Sequence, residues 1–233
     1  MLASLASALA VSVAMVADSL PHPATRFTQG LFFDGKELWE STGLEGRSWV
    51  YRMDARGHGI DSVQMPGMHF GEGIAKVGNR ITWLTWRSGL AWTLSAQPLQ
   101  MKGSFAIPTE GWGLTVWRGQ LLMSNGSAEL LVLSPDDHRV VNSIAVKADG
   151  RPLAMLNELE AVGDTLYANV WQSDSIAVIA LPSGKVTRWI DCSALASKVR
   201  KRSPGAEVLN GIAFDGKHLW ITGKLWPQMY RLR

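Results

Sequence analysis

One cysteine, Cys192, stands among 233 residues, so an intrachain disulfide is impossible and a cysteine-based metal site is not expected; a buried core position is. Charge is sparse as well, at 18% of residues against roughly 25% in an average domain. The net charge of +3 is mild and the basic residues are scattered apart from Lys198, Arg200, Lys201 and Arg202, a short run that reads as a solvated loop. A nucleic-acid partner is therefore not expected. The five histidines, His22, His58, His69, His138 and His218, share no ligand spacing and read as solvated or strand-filling residues. No G-x-S-x-G elbow, H-E-x-x-H helix or glycine-rich phosphate loop occurs. These absences disfavour metal hydrolysis and phosphoryl transfer. What remains is acid–base chemistry by a carboxylate, or binding without chemistry.

Long apolar runs are also missing after the first seventeen residues, MLASLASALAVSVAMVA, which carry no charge at all. That opening resembles the apolar core of a secretory signal, with Ala8-Leu9-Ala10 as a cleavage motif but without a basic segment before it. Serines interrupt it and it is short for a spanning helix. The expectation is an export signal over residues 1–10 and one mature domain over residues 11–233. That domain is expected to be periplasmic or secreted, monomeric and not stably attached to a membrane.

What the chain has in abundance is glycine, 23 residues, and tryptophan, 11 residues. An internal repeat organises both. Five segments align without gaps: QGLFFDGKELWESTG from Gln29, EGIAKVGNRITWLTW from Glu72, WGLTVWRGQLLMSNG from Trp112, NELEAVGDTLYANVW from Asn157 and NGIAFDGKHLWITGK from Asn210. Their second residues, Gly30, Gly73, Gly113, Glu158 and Gly211, lie 43, 40, 45 and 53 residues apart. Each segment carries a turn glycine (Gly35, Gly78, Gly119, Gly163, Gly216) and then an aliphatic residue, the pattern of a tight hairpin. Further short strands follow each hairpin. Four strands per period of this length is the blade of a propeller, so the expected fold is all-β, a five-bladed β-propeller. The fifth unit is too short for its own outer strand, and VSVAMVAD at residues 11–18 is expected to close the ring.

Equivalent positions of a propeller's blades form rings about its axis. The residues just before that second position, a glycine in four of the five segments, are Gln29, Glu72, Trp112, Asn157 and Asn210; those thirteen after it are Gly43, Trp86, Gly126, Trp171 and Lys224. Neither set is a packing layer. Together they describe an aromatic funnel holding one carboxylate, one ammonium and several amides. Each tryptophan taken alone could equally wedge between blades, and Glu72 with Lys224 could be a structural ion pair. Their shared phase favours a site.

FTQGL at 27–31, ESTGLEGRS at 40–48, FGEGI at 70–74, LTW at 84–86, EGWGL at 110–114, LNELE at 156–160, ANVWQ at 168–172, LNGIAFD at 209–215 and TGKLWP at 222–227 resemble the plant and bacterial type of glutaminyl-peptide cyclotransferase, in order and over nearly the whole chain. The resemblance implies a five-bladed propeller that converts an N-terminal glutamine to pyroglutamate with loss of ammonia, without a catalytic metal or other cofactor. It implies Glu72 as the acid–base residue and places Phe27, Gln29, Phe70, Trp86, Trp112, Asn157, Trp171 and Lys224 at the remaining site positions. The partners implied are peptides and proteins beginning with glutamine. Six of those eight already stood on the two rings.

The reaction suits these residue types. The substrate's α-amine attacks its own side-chain carbonyl, so holding the glutamine folded back removes much of the barrier. Burial should raise the pKa of Glu72 towards a range useful for proton shuttling. Lys224 or the amides are expected to stabilise the oxyanion, with Gln29 and Asn157 orienting the substrate. A propeller that only binds peptide N termini would keep the funnel without needing a protonatable Glu72, and a calcium-dependent lactonase-like propeller would need six blades. Two residues depart from the family pattern, Asn125 in place of an aspartate and Glu45 in place of an aromatic.

Overall fold

The computed structural model describes residues 9–233. Among these residues the chain is an all-β propeller with one helix, Ser193–Arg202, and its repeats fold as separate sheets. The first sheet holds Thr28–Asp34, Glu37–Thr42, Trp49–Asp54 and Gly59–Gln64; the second, Gly71–Val77, Arg80–Thr85, Leu90–Ala96 and Leu99–Ala106. The third holds Leu114–Trp117, Gln120–Met123, Glu129–Leu133 and Val140–Ala145. The fourth is built on Leu156–Val162, Thr165–Val170, Ser175–Ala180 and Lys185–Asp191, and the fifth on Leu209–Phe214, Leu219–Gly223 and Gln228–Leu232. Every aligned segment opens its sheet with a hairpin. The turn glycines adopt positive φ, from 59° at Gly78 and Gly163 to 93° at Gly216. Where the third repeat places its glycine one residue late, Arg118 and Gly119 both take positive φ, 51° and 75°.

The N-terminal stretch departs from expectation. Residues 11–18 do not form one strand: Ala10–Val13 runs parallel to Lys185–Asp191 on the fourth sheet, and Val16–Pro21 pairs antiparallel with Gln228–Leu232 on the fifth. The crossing lies at Ala14 and Met15, where Ala14 N–H donates to the Asp191 carbonyl and Arg233 N–H to that of Met15. The segment expected to be an export signal lies outside the described residues except for Leu9, which packs against the core around the fourth sheet, and Ala10. Among the described residues no helix is long and apolar enough to cross a membrane.

The basic run read as a loop lies instead in the second half of the helix Ser193–Arg202. Leu195, Ala196 and Val199 are its buried residues, while Arg200, Lys201 and Arg202 face the negative end of the helix dipole. Arg200 also forks onto Asp174, at 3.0 and 2.5 Å. Cys192, just before the helix, is buried as expected.

The glycines at the start of the inner strands let adjacent sheets meet at the axis with almost no space between them. A Cβ on Gly30 would lie 2.7 Å from Ile74 N, on Gly73 2.5 Å from Leu114 N, and on Gly113 2.0 Å from the Asn157 carbonyl oxygen. Glu158 breaks the glycine pattern and fills the centre. It is wholly buried and accepts hydrogen bonds from Leu31 N–H (3.3 Å) and Ile212 N–H (2.8 Å), so one side chain ties the fourth sheet to the first and fifth. Glu160 repeats the device two residues on, accepting from Phe214 N–H at 2.8 Å. Gly113→Ala should cost about 1–3 kcal/mol through overpacking. A thermal melt should show the midpoint lowered by about 2–4 °C per kcal/mol.

Candidate active site

All nine residues expected at the site line one cavity of about 450 Å³: Phe27, Gln29, Phe70, Glu72, Trp86, Trp112, Asn157, Trp171 and Lys224. Arg87, Gln172, Glu207 and Val208 complete the lining. The inner strands place Gln29, Glu72 and Asn157 at its floor, where exposure is 2%, 5% and 4%. Lys224, just past the strand Leu219–Gly223, is also buried. The walls are aromatic. Phe27 and Phe70 meet edge to face at 6.0 Å, Phe70 and Trp86 at 5.7 Å, and Trp112 and Trp171 at 5.9 Å. The glycines of the second ring, Gly43 and Gly126, explain themselves here: a Cβ on Gly43 would lie 2.3 Å from the Phe70 ring, and one on Gly126 2.7 Å from Trp112. At both positions a side chain is withheld so that an aromatic ring, Phe70 of the next repeat or Trp112 of the same one, can occupy the space.

Hydrogen bonds run across the floor in sequence. Asn210 Nδ2 donates to Gln29 Oε1 at 3.2 Å, and Gln29 Nε2 donates to Glu72 Oε1 at 3.0 Å. Gln29 therefore holds the carboxylate itself, a contact the sequence reading, which gave it to substrate, did not anticipate. Among the described residues Glu72 Oε2 has no hydrogen-bond partner, and the Lys224 ammonium has none either. Lys224 Nζ lies 4.8 Å from the centre of the Phe27 ring. Asn157 Oδ1 is buried without a partner among the described residues.

A further ring, eleven residues after the segments' second position, escaped the sequence reading although its phase could have revealed it. Ser41 Oγ donates to the Glu72 carbonyl at 2.7 Å and Ser124 Oγ to that of Asn157, also at 2.7 Å. Asn169 Oδ1 accepts from Gly211 N–H at 2.9 Å. Each clamps the backbone of the next sheet beside a floor residue. A second contribution had no repeat signal: buried His22 bonds Glu40 at 2.9 Å, and Arg26 and Thr28 reach the same carboxylate, each at 2.8 Å. This network fixes the segment leading into Phe27, so His22 is a structural residue and neither solvated nor a filler.

Burial pushes the Glu72 carboxyl well above its ordinary range; the Lys224 charge opposes that shift and the Glu110 charge adds to it. Burial likewise lowers the Lys224 ammonium, against the pull of Glu72 and Glu207. Burial thus shifts an acid up and a base down at the floor of one cavity. Among the described residues no group of three or more His, Cys, Asp or Glu side chains is placed to hold a metal ion. Asn125 caps a turn through Ser127 and does not line the cavity, and exposed Glu45 is not part of it.

Known proteins resemble this chain in overall sequence and backbone. The family model described as glutamine cyclotransferase matches residues 3–233. A glutaminyl-peptide cyclotransferase of Arabidopsis thaliana is 36% identical over 224 residues, which is 94% of this chain and 70% of the plant protein. The crystal structure of a Myxococcus xanthus glutaminyl cyclase is 34% identical and superposes with a TM-score of 0.88, over 97% of this chain and 98% of that one. The WD40 domain of Neurospora crassa Pan2, 9% identical with a TM-score of 0.53 over 94% of both chains, shares the fold alone. At more than a third identity across almost the entire chain, and with a single family model spanning all the described residues, the protein belongs to the glutamine cyclotransferase family.

Proposed function

We propose that this protein is a glutaminyl-peptide cyclotransferase in which Glu72 is the acid–base group, acting on peptides and proteins that begin with glutamine. The single observation that carries this reading is a lone buried carboxyl at the floor of an aromatic cavity, with one oxygen fixed by Gln29 and the other without a partner among the described residues. The α-amine loses a proton to Glu72 and attacks its own Cδ carbonyl; the C–N bond to the leaving nitrogen then breaks as Glu72 returns the proton, releasing ammonia. One carboxyl serves both transfers. Lys224 and the Asn157 amide stand where negative charge on the carbonyl oxygen can be met, and the aromatic walls exclude water and hold the five-membered ring. We further read the five sheets as five blades of one ring, with Val16–Pro21 serving as the outer strand of the last.

Ammonia release from a glutamine-initiated peptide, with an N-acetylated copy as control, tests the activity. The acetylated peptide lacks the attacking amine and should stay intact.

The pH profile tests the assignment. Glu72 must be ionised to accept the first proton, so kcat should fall as pH drops through a value above the ordinary 4.5 of a glutamic acid. The Lys224 charge holds that value down. Lys224→Met should therefore move the acidic limb of kcat to higher pH while lowering its plateau roughly 10²- to 10³-fold. A limb that stays in place, or moves the other way, would remove Glu72 from the role.

A further inference from the structure

The aromatic wall is a chain of edge-to-face contacts with one gap. Phe27 touches Phe70, Phe70 touches Trp86, and Trp112 touches Trp171, but among the described residues no such contact joins Trp86 to Trp112. The carboxylate of Glu110 occupies that junction. Its Oε2 accepts from the indole Nε1–H of Trp86 at 2.9 Å and from that of Trp112 at 3.1 Å, and its Oε1 accepts from Arg87 Nε at 3.2 Å. The Arg87 guanidinium lies over the Trp86 ring, 3.8 Å from its centre, and closes the circuit.

Repeat phase sets this residue apart. Two residues before each floor position stand Phe27, Phe70, Glu110, Met155 and Val208. Four are apolar and one is an acid. The loop carrying it cannot drift: Gly111 N–H donates to the Thr85 carbonyl at 3.1 Å, and a Cβ on Gly111 would lie 2.8 Å from Leu84 Cβ. The third sheet thus gives up a wall residue and supplies a clamp.

We propose that Glu110 is a positioning residue for the cyclisation, a carboxylate bridge that fixes the separation and tilt of Trp86 and Trp112 and so the slot in which the glutamine side chain folds back on its amine. The inference rests on the cyclotransferase reading above. Glu110 need not touch substrate; it acts through the two indoles. Hydrogen bonds to an ionised acceptor are among the stronger ones, and a wall displaced by about an ångström can cost on the order of a hundredfold in rate.

Glu110→Ala and Glu110→Gln, assayed beside the parent on a glutamine-initiated peptide, form the test. The alanine variant removes the bridge; the glutamine variant keeps an oxygen able to accept both indole N–H groups. The expected result is a roughly ten- to hundredfold loss of kcat/KM in Glu110→Ala, carried mainly by kcat. The glutamine variant should recover to within about threefold of the parent. Near-ultraviolet circular dichroism of the indoles should change in the alanine variant and return in the glutamine variant. An alanine variant as active as the parent, or a glutamine variant as impaired as alanine, overturns the proposal. Should the parent itself release no ammonia, the activity assignment fails, and the dichroism comparison still decides whether the bridge orders the indoles.

Discussion

Replacing Glu72 with glutamine lowers kcat by roughly 10²- to 10⁴-fold, the range that a positioned general acid–base group contributes, and leaves the fold intact. The substitution keeps the shape of the side chain and an oxygen to receive the Gln29 amide, which donates at 3.0 Å. It also removes an ionisable group whose charging burial opposes. The melting temperature should therefore hold or rise while ammonia release collapses, with KM little changed because the aromatic walls still bind. That combination separates lost chemistry from lost structure. A variant as fast as the parent would shift the proton transfers to Lys224, the other titratable group at the floor, whose ammonium burial already makes easier to deprotonate.

The second large effect concerns stability and lies on the axis, behind the site. Glu160 is pushed from 4.5 up to about 8 by burial, and Glu158 is raised well above its ordinary range by burial and by the Glu160 charge. A carboxyl raised on folding favours the native state fully below its unfolded pKa and loses that contribution as pH climbs to the folded one. For Glu160 the window runs from 4.5 to about 8. The span corresponds to a loss of roughly 5 kcal/mol by the alkaline end. Denaturant melts at pH 5, 7 and 9 should show falling stability, and Glu160→Gln, whose amide oxygen can still accept from Phe214 N–H, should flatten much of the decline. An identical slope in parent and variant would mean that Glu160 is ionised in the native protein throughout.

The repeat made the hairpins and both rings legible because glycine at the start of the inner strand is required by backbone approach at the axis, and physical necessity leaves a periodic mark. Residues at the same phase, Gln29, Glu72, Trp112 and Asn157, thus reached one cavity although they are spread over more than half of the chain. What stayed hidden had no periodic equivalent. The helix Ser193–Arg202 occupies the longest interval between repeats, and its charged last turn masked the three buried residues that fold it. The His22–Glu40–Arg26 cluster joins residues from a connecting segment and a strand, and no spacing rule foretells such a meeting. The division of residues 10–21 between two sheets was equally invisible, since a β-compatible stretch does not say which edge it will choose. Glu110 and the Ser41 and Ser124 clamps are intermediate cases. They lie in phase with the repeat, but one is an exception to an apolar position and the others are small polar residues of an ordinary kind.

The glycine-packed axis, stoppered by Glu158, turns the propeller's middle into a cul-de-sac. A polypeptide cannot be threaded through it, and a glutamine in mid-chain would have to bring two flanking backbones into a chamber of about 450 Å³. A peptide must therefore enter and its product leave through the same aromatic mouth, so release retraces the path of binding.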